Sequence, residues 1–424
     1  MSDKFTPIVQ ALSLEQDGKI VSLRCWIHRK RGQKELIFLI LRDSTGQIQA
    51  IVKKDTDAWK EAEKITVESS CEITGKIKQD RRAPTGYELQ VTKLKIVGLS
   101  EAFPIQKDFS EEYLRKVRHL WVRSTKLVPV FKIRSKIFEA IREFYSIKGY
   151  HEIQSPSFTK SASEGGSTLF KVDYFGEPAY LTQSWQLYAE ALMFGLEKIY
   201  CIAPSFRAEK SRTRRHLAEY WHHEMETAWM EFDDLLKFQE ELIVFIIWYV
   251  LKHCEKDFKD LGRDTSDLKK ITAPFKRIKY KEALKMLGKS WGYDLTDDDE
   301  RKLVADLGQP IFLTHFPRDM KAFYMKVDSE DKKVVLAADL LIPGVGETTG
   351  GSQRIDDEKE LKESIKLFKL KPKDYDWYID LRKYGSVPHS GFGLGMERLV
   401  MWLSGTEHIM DTIPFPRTKD RLEP

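Results

Sequence analysis

Cysteine is scarce in this chain of 424 residues: four in all, Cys25, Cys71, Cys201 and Cys254, far apart and with no Cys-x-x-Cys pair. That scarcity speaks against a disulfide framework and a thiolate zinc site, and makes a reducing compartment the expectation. Long apolar runs are missing too. The longest, "LIVFIIWYVL" at 242–251, is too short to span a bilayer and reads as a buried helix, so no membrane partner is expected. The opening "MSDKFTPIVQ" lacks the basic-then-apolar pattern of a signal peptide, and the expected location is the cytoplasm. There is no internal repeat or low-complexity tract, and no GxxxxGK[ST], which excludes the P-loop solution to triphosphate binding.

What is present is an ordinary globular composition, 32% charged and 42% hydrophobic, at a length that suggests two or three domains. The charge is unevenly placed. Residues 1–100 hold 18 Lys+Arg against 13 Asp+Glu, a net of +5, which equals the +5 of the whole chain and leaves 101–424 neutral. A basic module on a neutral body fits a polyanionic partner met through that module.

Residues 1–100 read as five short strands, "KIVSLRCWI", "ELIFLILRD", "QIQAIVK", "SSCEITGKIK" and "YELQVTKLKIVG". "DTDAWKEAEKI" between the third and fourth reads as a helix with Asp55 near its start. This is the order of an OB-type barrel, whose open face commonly binds oligonucleotides. Phe38 is then either a base-stacking platform or a filler of the barrel, and Arg29, Lys30 and Arg31 are placed to meet phosphates. Gln49, on a neighbouring strand, is a candidate for base recognition.

Residues 101–128 form a connector with a short basic helix, and a larger domain at 129–424 follows. "VFKIRSKIFEAIREFYSIKGY" places apolar residues at 130, 133, 137, 141 and 144, an amphipathic helix ending near Gly149. "HEIQSPSF" reads as a strand stopped by Pro156, and aromatic and β-branched strands dominate from there, with a helical insertion near 232–290. Strands in a block with flanking helices predict an α+β domain with an antiparallel sheet.

Two features in this domain carry chemistry. "SFRAEKSRTRRHLAEYWHHEMETAW" at 205–229 crowds cations ahead of alternating carboxylates, and "HSGFGLGMERLVMWLSG" runs a glycine-rich strand into a helix. Two separated arginine sources around a tight glycine strand make a cationic nucleotide cradle. Asp339 and Glu347 of "AADLLIPGVGETTGGSQR" offer hard oxygen ligands for Mg2+. Together these describe phosphate chemistry by positioning and charge neutralisation.

"FRAEKSRTRRHLAEYW" resembles motif 2 of the class II aminoacyl-tRNA synthetases, "GFGLGMERLVMWL" resembles their motif 3, and the helix and strand ending in "HEIQSPSF" resemble the dimer-forming motif 1. The N-terminal barrel is similar to the anticodon-binding domain of the aspartyl/asparaginyl/lysyl subgroup. The resemblance covers nearly the whole chain. It implies ATP as substrate, tRNA as partner and a homodimer through motif 1. By the same resemblance Arg207 grips the α-phosphate, while Arg215 and His216 meet the terminal phosphates. Arg398 lies against adenine and reaches the terminal phosphate, Glu209 and Glu219 support the adenine end, Tyr220 stacks on the base, and Glu347 holds magnesium. The catalytic pair would be Arg207 and Arg398.

The amino acid is argued from three positions. Aspartyl enzymes have a lysine three residues beyond the glutamine of "QLY"; here that position is Ala189, a poor match for a second negative charge. Where they have Asp, this chain has Glu224, able to accept from an amide NH₂ and to repel a carboxylate. Arg354 can donate to the side-chain oxygen of either substrate. Ser163, Glu164 and Gln186 would hold the α-amino group. The combination resembles archaeal-type asparaginyl-tRNA synthetases. An aspartyl enzyme, including one that tolerates two tRNAs, and a tRNA-independent asparagine-forming ligase on the same fold are the alternatives.

Overall fold

The computed structural model describes residues 5–105, 109–160, 169–209, 216–305 and 307–423. The chain divides into two compact units, Met1–Glu111 and Glu112–Pro424.

In the first unit β1 (Ile20–Gly32), β2 (Leu36–Arg42), β3 (Gln47–Lys53), β4 (Ser70–Gln79) and β5 (Tyr87–Gly98) close into a barrel in the order β1-β2-β3-β5-β4. Alternation drives it: Ile37, Leu39 and Leu41 of β2 and Ile48, Ala50 and Val52 of β3 point inward, and the residues between them face out. The helix between β3 and β4 spans Trp59–Lys64, with Asp55 in the turn before it. Cys25 and Cys71 face each other inside the barrel as free thiols, Sγ to Sγ 3.6 Å.

A bulge in β1 between Ile27 and Arg29 decides which basic residues reach the surface. Up to Ile27 the odd-numbered residues of β1 fill the core; past the bulge Lys30 pairs with buried Leu39, and Arg29 and Arg31 pair with Ile40 and Phe38. One extra residue inverts the parity of the strand end.

The second unit is built on an eight-stranded sheet. It comprises β6 (His151–Glu152), β10 (Lys198–Phe206), β11 (Glu219–Ala228), β12 (Lys276–Lys279), β13 (Ile311–Pro317), β14 (Val334–Ile342), β15 (Gly346–Gln353) and β16 (His389–Gly395). Their order is β12-β13-β14-β15-β16-β11-β10-β6. The interior of the sheet is antiparallel as expected, while the edge pairs β12–β13 and β10–β6 are parallel. A small separate sheet is formed by β7 (Phe158–Thr159), β8 (Lys171–Tyr174) and β9 (Glu177–Leu181), so "HEIQSPSF" supplies two short strands to two sheets rather than one long one.

The amphipathic helix Val128–Ile147 buries Val130, Ile133, Ile137, Ile141 and Phe144, the spacing read from the sequence. The stretch 232–290 is no appendage. Its long helix Phe232–His253 packs Leu235, Leu242, Ile243, Ile246 and Ile247 into the main core, and Lys276–Lys279 adds an edge strand to the sheet. Among the described residues no helix is long and apolar enough to cross a membrane.

One buried side chain closes this unit on itself. Arg118, 1% exposed, donates to Asp411 Oδ1 (3.0 Å) and to the carbonyls of Pro414 (2.8 Å), Met410 (2.9 Å) and Ile413 (2.9 Å). Nearby, Arg421 Nη1 donates to Arg115 O at 2.8 Å.

Candidate active site

Period-two alternation gives the main sheet two different faces. On β11, Met225 enters the core while Tyr220, His222, Glu224 and Glu226 line a cavity of about 720 Å³; on β14, Ala338 and Leu340 enter the core while Asp339 lines the same cavity. The size suits a nucleotide and a small substrate together. The glycines of β16 make room for the β11 side chains. A Cβ on Gly391 would stand 2.0 Å from Glu226 Oε2, and one on Gly393 2.4 Å from His222 Nε2, while the intervening Phe392 and Leu394 belong to the core. G-x-G-x-G is here a glycine face opposite polar side chains.

One end of the cavity is cationic. Arg207 follows β10, its backbone N–H held by Ala218 O at 2.9 Å; its guanidinium lies 5.7 Å from the Tyr220 ring centroid and 3.9 Å from Glu209. Arg398, at the start of the helix after β16, donates to the Glu347 carbonyl (2.6 Å), lies 3.5 Å from the Glu347 carboxylate and meets His216 Nε2 at 3.3 Å. Arg207, Glu209, His216, Tyr220, Glu347 and Arg398 thus line one space. Glu219 does not join them. It is exposed on the opposite face of β11, because it is one residue out of phase with Tyr220. Arg215, Ser163 and Glu164 lie outside the described residues.

Asp339 and Glu347 fit a divalent cation. Both approach a cradle left by Gly350, where a Cβ would lie 3.6 Å from Asp339 Oδ1 and 3.7 Å from Glu347 Oε1. The donors are carboxylate oxygens, the chemistry magnesium prefers. Burial pushes the Asp339 carboxyl up, and Glu347 and Glu300 push the same way, against the ammonium of Lys321 at 2.6 Å.

The other end is a buried polar network, and much of it escaped the sequence reading. Arg354 Nε and Nη2 donate to the two oxygens of Glu226 at 3.0 and 2.9 Å, and its Nη1 donates to Ser352 Oγ at 2.6 Å. Behind it Glu190 accepts from Gln186 Nε2 (2.9 Å), Tyr378 OH (2.7 Å) and Arg382, with His389 Nε2 at 3.1 Å. Burial pushes Glu190 up, yet Arg382 and His389 win and hold it well below the usual carboxylate range; burial raises Glu226 despite Arg354. Ligand atoms of Glu190, Glu226 and His389 lie within 4.8 Å of one another, but guanidinium groups already neutralise those carboxylates. Glu226 was legible as the alternate neighbour of Glu224 and Glu190 as the i+4 partner of Gln186; Arg382 and Tyr378 left no local signal.

Glu224 and Gln186 line the cavity as expected. Glu224 accepts from Ser184 Oγ and from the Trp185 N–H (2.8 Å), and His222 Nδ1 stands 3.4 Å away. Ala189 is a correction. It is fully buried on the stripe it shares with Trp185 and Met193, packed with Ile199 and Cys201, and is not among the side chains that line the cavity.

On the barrel, Phe38 is half-buried on the outer face and absent from the core, so it does not fill the barrel. Arg31 stands opposite it, and Arg29 opposite Ile40, whose partner across β3 is Gln49. These four side chains share the outer surface of β1–β3. Lys30 is a second correction: its ammonium turns to the carbonyls of Glu63 (2.8 Å) and Ile65 (2.9 Å), closing the C-terminal end of the Trp59–Lys64 helix.

Comparison with known proteins agrees with this geometry. Residues 110–419 match the family of class II tRNA synthetases (D, K and N), and residues 21–97 match the OB-fold nucleic acid binding domain. The asparagine–tRNA ligase of Thermococcus gammatolerans is 47% identical over 418 residues, 97% of each chain, and that of Thermoplasma acidophilum is 46% identical over 416 residues, 96% of this chain and 97% of that one. The crystal structure of asparaginyl-tRNA synthetase from Pyrococcus horikoshii complexed with asparaginyl-adenylate superposes with a TM-score of 0.96 at 44% identity, covering 100% of both chains. With a family match over most of its length and a cavity built from the same motifs, the chain belongs to the class II tRNA synthetases of the D, K and N group.

Proposed function

We propose that the chain activates asparagine with ATP and transfers it to the 3′ end of the asparagine tRNA. The observation that carries this is one cavity with a phosphate-binding cationic end, Arg207, His216 and Arg398, and an amide-sized end walled by Glu224 and Arg354. The adenylate-bound Pyrococcus enzyme, alike over the whole chain, supports the same substrate.

In the first step a carboxylate oxygen of asparagine attacks the α-phosphorus, the new O–P bond forms and the bond to pyrophosphate breaks. Arg207 neutralises the α-phosphate, His216 and Arg398 the leaving group, and Tyr220 stacks on adenine while Glu209 orients Arg207. Magnesium, held by Asp339 and Glu347, would neutralise phosphate charge. Arg354 uses Nε, Nη1 and Nη2 toward Glu226 and Ser352, and the rest of its five N–H donors suit the side-chain oxygen of asparagine. Glu224 suits the amide NH₂ and repels aspartate, and Gln186 lies beside the α-amino end. In the second step a terminal tRNA hydroxyl attacks the acyl carbon and AMP leaves.

The outer face with Arg29, Arg31, Phe38 and Gln49 reads the anticodon in this proposal, through stacking and phosphate contacts. A homodimer through the Val128–Ile147 helix, and a cytoplasmic setting that keeps the four thiols reduced, complete it. ATP–pyrophosphate exchange with asparagine and aspartate side by side tests the reading. Preference for asparagine is expected; equal or better exchange with aspartate sinks it in favour of an aspartyl enzyme.

A further inference from the structure

Among the described residues, one cation of the cavity is used by neither the motifs nor the proposed chemistry. Lys321 follows the short turn Arg318–Met320 and lines the cavity wall, its side chain only 20% exposed. Its ammonium meets Asp339 Oδ2 at 2.6 Å and lies over the Phe316 ring, 3.8 Å from the centroid. Asp339 turns its other oxygen, Oδ1, toward the Gly350 cradle that it shares with Glu347. Across the cradle Arg398 Nη1 stands 3.5 Å from the Glu347 carboxylate, while its short hydrogen bond goes to the Glu347 carbonyl. Both carboxylates that suit a divalent ion thus have a protein cation nearby, and Lys321 holds Asp339 at hydrogen-bond distance.

We propose that Lys321 is a positioning residue that competes with the divalent cation for Asp339 and so sets how tightly the enzyme holds metal before ATP arrives. A fixed ammonium orients the carboxylate toward the cradle and keeps it neutralised. A divalent ion entering the cradle must share Asp339 with that charge, which lowers its affinity. Nucleotide phosphates supply the missing negative charge, so firm metal binding is coupled to the arrival of ATP. This rests on the reading of Asp339 as a metal ligand.

Mn²⁺ binding to the full-length protein without nucleotide, followed by electron paramagnetic resonance, tests it. K321M should bind Mn²⁺ about tenfold more tightly than the parent, a charge effect at contact distance, and K321R should stay near the parent. D339N should weaken binding, and adding K321M to D339N should change nothing further. A lysine with a merely structural role predicts loss on K321M, never a gain. Unchanged or weaker binding in a K321M protein that folds overturns the proposal while D339N still reports a ligand. If D339N leaves Mn²⁺ affinity untouched, the metal assignment and the lysine proposal fall together.

Discussion

Replacing Glu226 by glutamine would remove one charge from a buried pair at the cavity wall. The side chains of Arg354 and Glu226 are 4% and 1% exposed, and two bonds of 3.0 and 2.9 Å join them. Glutamine keeps one acceptor, but its NH₂ would face an N–H of the guanidinium, so one bond becomes a clash of donors. The network is balanced by Glu190 and Glu226 against Arg354 and Arg382, and the substitution leaves two cations facing one carboxylate. Removing one partner of a buried pair costs about 3–5 kcal/mol; with Glu190 still near, the low end, about 3 kcal/mol, is expected. Felt by asparagine through a misplaced Arg354, that is roughly a hundredfold in kcat/KM. The loss should appear in KM for asparagine, with KM for ATP little changed, in pyrophosphate exchange. Urea denaturation of the catalytic unit should shift to a lower midpoint. The apolar pair E226L/R354M should recover much of the stability, since both charges are gone, but none of the asparagine binding. A Glu226→Gln protein with parental KM for asparagine and parental midpoint would refute the argument.

Other expectations follow from the same geometry. Arg207→Ala should cut adenylate formation by about 10²–10³ while tRNA binding stays near parental, and near-normal exchange would remove Arg207 from its role. Phe38→Ala should weaken tRNA binding by roughly 1–3 kcal/mol in a filter assay and leave tRNA-free asparagine activation unchanged; an unfolded barrel would mean the ring is needed for packing. His223 is fully buried and pushed down to about 4 by burial. Its Nδ1 faces the Cys201 carbonyl (3.0 Å), which can only accept, so the neutral ring carries its proton there and accepts from Tyr145 OH at Nε2 (2.9 Å). The unfolded chain binds that proton more readily, so stability should fall as pH drops from about 6.5 toward 4, by roughly 3 kcal/mol in all. His223→Gln should flatten that part of the pH–stability curve, and an unchanged slope would contradict the assignment. Ala189→Lys should destabilise the protein, because the ammonium would enter the cluster of Met193, Ile199 and Cys201; retained stability with a gain in aspartate exchange would show that it reaches the substrate.

Features set by local periodicity were legible in the sequence. The five strands of the barrel, the 130–144 stripe and the alternation of Glu224 with Met225 all follow from periods of two or 3.6 residues. The cationic cradle was legible too, because its members cluster in two short motifs. What stayed hidden depends on register or on distant partners. A bulge cannot be seen in "CWIHRKRG", yet it sends Arg29 and Arg31 outward and commits Lys30 to a helix end. Ala189 was placed by its offset from Gln186, and three residues along a helix do keep it near that face, but its methyl packs with Met193, Ile199 and Cys201 and does not reach the cavity. Glu190 draws Tyr378 and Arg382 from 188 and 192 residues away, and no local pattern announces such a meeting.

Arg118 gives the catalytic unit an architecture with a seam. A single guanidinium gathers the segment 410–414 to the first helices of the unit, and Arg421 meets Arg115 beside it. The first helices of the unit and its 410–421 segment therefore meet at one place, like a loop of rope tied near where it begins. Such a body can be cut open elsewhere and rejoined across the seam, or carried behind a different anticodon-reading module, without rerouting its interior. Shortening it to end before Met410 is another matter: the guanidinium would lose all four acceptors at once, and a buried charge without partners unfolds what it once tied.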